Sequence, residues 1–174
     1  MRRSMRILPI LAAAGMATAP AAAAELSVTV EVPRLNVAEY HRPYVAIWVE
    51  RADQQAAATL AVWYDLDMRN NEGEKWLKDI RQWWRRAGRE MRMPVDGVSG
   101  ATRAPGRHTQ AFGAARGPLS ELPPGTYNLV VEAAREVGGR EMLRLPFQWP
   151  PTAPQTAEAR GSSELGAVAI NVKP

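Results

Sequence analysis

Cysteine is absent from the 174 residues. That excludes disulfides, iron–sulfur ligation, a thiol redox centre and zinc–cysteine sites. Any redox role would need a cofactor held by other means. Histidine is nearly absent. His41 and His108 are the only two, far apart in sequence and too few for a histidine-built metal site. The chain also lacks a G-x-S-x-G nucleophile elbow, an H-E-x-x-H helix and a phosphate-binding glycine loop. His108 has the chemistry of a general base, but its spacing assigns it no Ser or Asp partner. It reads as a surface histidine at a strand start. No catalytic residue and no metal ligand is expected.

One apolar run stands out, and it is short. Arg2, Arg3 and Arg6 precede a stretch from Ile7 to about Ala17, broken by Pro9 and Gly15. Ala22-Ala23-Ala24 then offers a cleavage site before Glu25. This is the layout of a secretory signal peptide over residues 1–24, and the run falls short of the roughly 20 residues a membrane span needs. No membrane span is expected after cleavage. The expected domain is residues 25–174, one periplasmic unit. Without the three leader arginines the 22 basic side chains fall to 19, against 18 acidic ones. The net charge of +4 therefore belongs largely to the leader and points to no nucleic-acid partner.

What remains reads mainly as β-structure. LSVTVEVP (26–33) alternates apolar and polar residues. RPYVAIWVER (42–51) places Tyr44, Ala46 and Trp48 on one face and Val45, Ile47 and Val49 on the other, as a central strand does. ATLAVWYDLD (58–67) returns from it as a hairpin. Further strands are expected at 107–114, 122–136, 141–149 and 164–172, with a turn at VGGR (137–140) and a loop over 150–163. Seven short strands with one insertion predict an immunoglobulin-like β-sandwich.

The insertion, 70–106, begins with a change of period. Trp76, Leu77, Ile80, Trp83, Trp84 and Ala87 recur at helical spacing and predict an amphipathic α-helix over about 73–87. Asn71 and Glu74 are spaced as a capping box, and Gly88 as a C-terminal cap. The tryptophans can pack the helix onto the sheet. Adjacent helical positions diverge by about 100°, so one ring can serve the core while another lines a site.

After the helix comes DGVSGATRAPG (96–106). Asp96, Ser99, Gly100, Ala101 and Thr102 spell D-x-x-S-G-A-T. This resembles the recognition motif of proteins modified by FMN transferases of the ApbE type. The resemblance implies FMN joined through a phosphoester to Thr102, with Asp96, Ser99, Gly100 and Ala101 read by the transferase. An acceptor for a second enzyme belongs on an exposed, pliable loop, and Gly97, Gly100 and Ala101 remove bulk around the hydroxyl. Asp96 can shape the turn through backbone hydrogen bonds. Arg103 and Arg107 are close enough in sequence to pair with the phosphate, an inference separate from the motif.

The whole chain adds to this. YVAIWVE, KWLKDIRQWWR, DGVSGATRAPGRH, LPPGTYNLVVEAARE and GGR, spanning about 25–172, resemble a bacterial family of predicted periplasmic domains of unknown function. That resemblance implies a flavin transferase and a PepSY-type membrane reductase as partners, and an electron-transfer flavoprotein as the function. AFGAARGPLSELPPGTY resembles a hairpin of immunoglobulin-like modules such as those of flagellar hook-capping proteins. Phe112-Gly113-Ala114 replaces that hairpin's Trp-Asp-Gly, while the spacing to Gly125 and Tyr127 survives. Two other readings stand beside the flavoprotein: an unmodified immunoglobulin-like binding or assembly module, and a hydrolase or metal-handling protein built on His108.

Overall fold

The computed structural model describes residues 23–174. The expected leader lies outside them, apart from its last two residues. In chain order the strands are β1 (Glu25–Val32), β2 (Tyr44–Glu50), β3 (Ala56–Tyr64), β4 (Ser99–Ala101), β5 (Gly106–Gly113), β6 (Gly125–Ala134), β7 (Arg140–Trp149), β8 (Gln155–Arg160) and β9 (Ala167–Lys173). They form two sheets, ordered β5-β1-β9-β8 and β4-β3-β2-β6-β7.

β2 dictates the layering. All seven of its residues are buried, so both faces need apolar cover. Val45, Ile47 and Val49 face the second sheet and join Leu26, Val28 and Val30 of β1 and Val168, Ile170 and Val172 of β9. Tyr44, Ala46 and Trp48 face the other way, under a helical segment. The result is a mainly β, two-sheet sandwich with one outer face covered by the insertion.

A tyrosine corner closes one end of the sandwich. The Tyr127 hydroxyl donates to the Pro123 carbonyl at 2.7 Å. That bond is a hallmark of immunoglobulin-like sandwiches, and it sits in the Pro-Pro-Gly-Thr-Tyr stretch whose spacing pointed to one.

Five expectations are corrected, three about elements and two about helix ends. The stretch 150–163 is not all loop: β8 pairs antiparallel with β9 along Gln155–Arg160. Its residues QTAEAR are small or polar because it is an edge strand, which shows little hydrophobic signal. The motif stretch contains β4, a parallel partner of β3. The expected α-helix over 73–87 is a 3-10 helix at Arg69–Asp79, a break at Ile80, and a short α-helix, α1, at Arg81–Arg86.

Asn70 and Asn71 adopt left-handed conformations with φ of 55°, which asparagine tolerates better than most residues. They therefore form no capping box. Gly88 is buried against the Trp83 ring, where an added Cβ would come within 2.7 Å of it. Its role is space, not a left-handed cap. The apolar stripe itself is in place, with Leu77, Ile80 and Trp83 buried on the sheet.

Glu141 of β7 holds the loop between β8 and β9. Its carboxylate accepts the backbone N–H groups of Ser162, Ser163 and Leu165 at 2.6–3.0 Å, and the Ser162 hydroxyl at 3.1 Å. Burial alone would raise its pKa, but these four donors outweigh it and bring the pKa down from 4.5 to about 2. A lowered folded-state pKa contributes stability that is fully present above the unfolded value and lost as pH falls through the folded one. Glu141→Gln should therefore cost about 1–2 kcal/mol at neutral pH. In urea unfolding followed across pH, that cost should shrink between pH 4.5 and about 2.

Candidate functional site

The motif divides into a turn and an edge strand. The Ser99 N–H donates to the Val95 carbonyl at 2.8 Å, and the Ser99 hydroxyl accepts the Val95 N–H at 2.9 Å. Gly97 supplies the positive φ of 72° that this turn requires. Ser99, not Asp96, is the side chain that closes the turn, and Asp96 is exposed. Ser99, Gly100 and Ala101 then pair in parallel with Val62, Trp63 and Tyr64. The ladder ends where the Thr102 N–H donates to the Tyr64 carbonyl at 3.2 Å. Thr102 thus stands on the rim of the sheet rather than on a free loop.

The Thr102 hydroxyl lies 3.4 Å from Asp65 Oδ1. That is beyond the usual O–H···O range of about 2.5–3.0 Å, so the hydroxyl of the half-buried Thr102 is loosely held. Thr102 borders a cleft of about 740 Å³ and, with Ala101, a smaller recess of about 360 Å³. Arg42 and Asp65 line both. The larger cleft runs from Thr102 across β2 to the β6–β7 turn, with Tyr40, Tyr44, Trp76 and Arg135 among its walls.

That wall holds polar groups without partners. Arg135 is 6% exposed, and it donates to Glu164 through Nε at 2.8 Å and Nη2 at 3.1 Å. Its Nη1 has no partner. The hydroxyls of Tyr40 and Tyr44 are likewise buried and unpartnered, although Tyr44 lies beside Asp65. Burial pushes the Tyr44 phenol up to about 12 and raises that of Tyr40. Both stay protonated donors at neutral pH.

Gly138 and Gly139 make room for the Arg135–Glu164 pair. An added Cβ would come within 2.4 Å of Arg135 at the first and 2.9 Å of Glu164 at the second. The Gly139 N–H also donates to Glu164 at 2.7 Å.

The two arginines expected to serve a phosphate line neither the cleft nor the recess. Arg107 lies on β5 in the other sheet, 3.8 Å from Glu31. Arg103 stacks over Trp63 at 5.3 Å. The cations that line the cleft are Arg42, Arg81, Arg135 and Arg140. They come from the segment before β2, from α1 and from the ends of β6 and β7, and no local spacing in the sequence connects them. His108 packs edge-on to Trp63 at 5.9 Å, and its Nε2 is 2.8 Å from the Ala104 carbonyl. It lines neither the cleft nor the recess, which removes support from a His108 hydrolase. Of the helix tryptophans, Trp83 is buried while Trp76 is half exposed and lines the cleft.

The helical segment is tied down by two buried carboxylates. Glu132 of β6 accepts the N–H groups of Gln82 and Trp83 at 2.9 and 3.0 Å and Arg140 Nη1 at 2.8 Å. Glu50 of β2 accepts Trp48 Nε1 at 3.1 Å, Arg144 Nε at 3.1 Å and an ion pair from Arg86. These contacts fix Arg81 and Arg140 at the cleft.

Fold and site define a β-sandwich protein with a polar-floored cleft at one sheet end, roofed by a helical insertion. Residues 25–167 match the model of the family described as Predicted periplasmic protein (DUF2271), and the chain belongs to that family of periplasmic proteins. No curated protein and no solved structure matches the chain. Among the described residues no helix is long and apolar enough to cross a membrane. Because Glu132 carries helix, hairpin and cleft together, Glu132→Ala should destabilise the protein by about 3–5 kcal/mol. Urea unfolding followed by tryptophan fluorescence measures this, and the near-ultraviolet circular dichroism of Trp83 should weaken.

Proposed function

We propose that the protein is a periplasmic electron carrier with FMN attached covalently to Thr102. A flavin transferase supplies the FMN phosphoryl group from a flavin dinucleotide: the pyrophosphate bond breaks as the bond to Thr102 forms, and the nucleoside monophosphate leaves with the hydroxyl proton. Thr102 Oγ1 loses its hydrogen and becomes the bridging oxygen of a phosphodiester with one negative charge. The flavin carries the electrons, and the protein supplies position and electrostatics. A PepSY-type membrane reductase is the proposed donor.

The observation that carries this reading is the position of Thr102. The motif's final residue has a loosely held hydroxyl on the rim of a cleft of about 740 Å³, within the range of roughly 300–1,000 Å³ usual for ligand sites. An anion placed there meets Asp65, and Arg42, which lines the cleft and the recess alike, offsets it.

Co-production with an active flavin transferase should give a protein band whose flavin fluorescence survives denaturation and whose mass rises by one FMN. Thr102→Ala should abolish both. An unmodified wild-type chain, with a transferase proven active on another protein, would overturn the reading and favour a plain binding module. Arg42→Ala should lower the modified fraction several-fold, whereas Arg107→Ala, on the other sheet, should leave it unchanged.

A further inference from the structure

Four large apolar side chains stand exposed among the described residues: Val37, Met68, Trp76 and Val137. The last three line the cleft beside Thr102. Trp76 is 50% exposed, and the Lys78 ammonium lies 5.9 Å from the centre of its ring. Val137 is 74% exposed and has a φ of 52°. Left-handed backbone is strained for a β-branched residue, and exposed apolar side chains gathered on one concavity mark a binding surface.

The same cleft has a polar wall. Arg135 Nη1 and the hydroxyls of Tyr40 and Tyr44 are three buried donors without acceptors. Each buried, unmatched donor has given up water without gaining a partner. Arg135 cannot easily turn away, because Glu164 holds two of its nitrogens and the two glycines of the turn are shaped around the pair. The cleft therefore asks for a ligand with a flat apolar portion and a portion rich in acceptors. A free phosphate satisfies only the second demand.

From this we infer that the cleft is the seat of the isoalloxazine ring of the flavin carried on Thr102. Trp76 packs on the ring, and Arg135, Tyr40 and Tyr44 donate to its carbonyl and nitrogen acceptors. The inference rests on the attachment proposed above, but it adds a separate claim. The ring is docked on the protein rather than swinging on its tether. Docking removes water from the ring and places a cation beside its electron-poor, acceptor-bearing end.

Two measurements test this, and only one needs the adduct. In the modified protein the flavin emission should be strongly quenched and its anisotropy should match tumbling of the whole protein. Unfolding should restore the emission. Trp76→Ala should leave the mass of the adduct unchanged while native emission rises several-fold. Trp84→Ala, outside this cleft, should change neither. The second measurement titrates the unmodified protein with lumiflavin, which has the ring but no phosphate. Binding should saturate, weaken about tenfold in Trp76→Ala, as expected for the loss of one aromatic stacking partner, and weaken several-fold in Tyr44→Phe at an unchanged unfolding midpoint. An adduct with the emission and anisotropy of free FMN, or lumiflavin binding indifferent to both substitutions, would overturn the ring seat while leaving attachment at Thr102 intact. A missing adduct with intact lumiflavin binding would support the seat and overturn only the attachment.

Discussion

The carboxylate of Glu132 is the contact on which the rest of the site depends. It is completely buried on the outer face of the five-stranded sheet, where an isolated charge would cost several kcal/mol. Two backbone N–H groups at the start of α1 and the Arg140 guanidinium meet that cost. The helix gains a cap it cannot supply from its own sequence, since no side chain of the preceding turn caps it. The sheet gains a fixed roof. Trp83 joins Trp48 and Tyr64 in one buried cluster, and Trp76 and Arg81 are carried to the lining of the cleft.

Glu132 has two counterparts. Among the described residues the three buried acidic ones are Glu50, Glu132 and Glu164, and each is met by arginine. Glu50 ties β2 to α1 and β7, Glu132 ties β6 to α1, and Glu164 ties the β8–β9 connection to the end of β6. Each joins segments far apart in the chain. Of the three, only Glu164 has an arginine partner with a buried nitrogen left unmatched, and that arginine lines the cleft. The scaffold is closed where it bears load and open where a ligand would enter.

The parts of this arrangement legible in the sequence were those written in local period. YVAIWVE carries two apolar faces, and both are buried. The stripe from Leu77 to Trp83 reads as one face, and it packs as one. The helix type was not legible: α1 starts where Gln82 and Trp83 dock on Glu132, a residue 50 positions from Gln82, and nothing in the local period marks the break at Ile80 or the left-handed Asn70 and Asn71. β4 and β8 escaped because a three-residue parallel partner and a polar edge strand carry almost no hydrophobic signal. At the site, Thr102 could be singled out from its motif. Arg42, Arg135 and Arg140 could not be joined to it, since only the strand order brings them to one cleft. Proximity in sequence misled in turn: Arg107, five residues from Thr102, lies in the opposite sheet.

The buried arginine–carboxylate ties have a consequence for where such a chain can work. Extracytoplasmic domains without cysteine hold distant segments together by contacts that neither form by oxidation nor break by reduction. Reducing equivalents passing nearby find no bond in this scaffold to cleave and no thiol to divert them. The framework has no thiol–disulfide equilibrium for the redox state of its surroundings to shift.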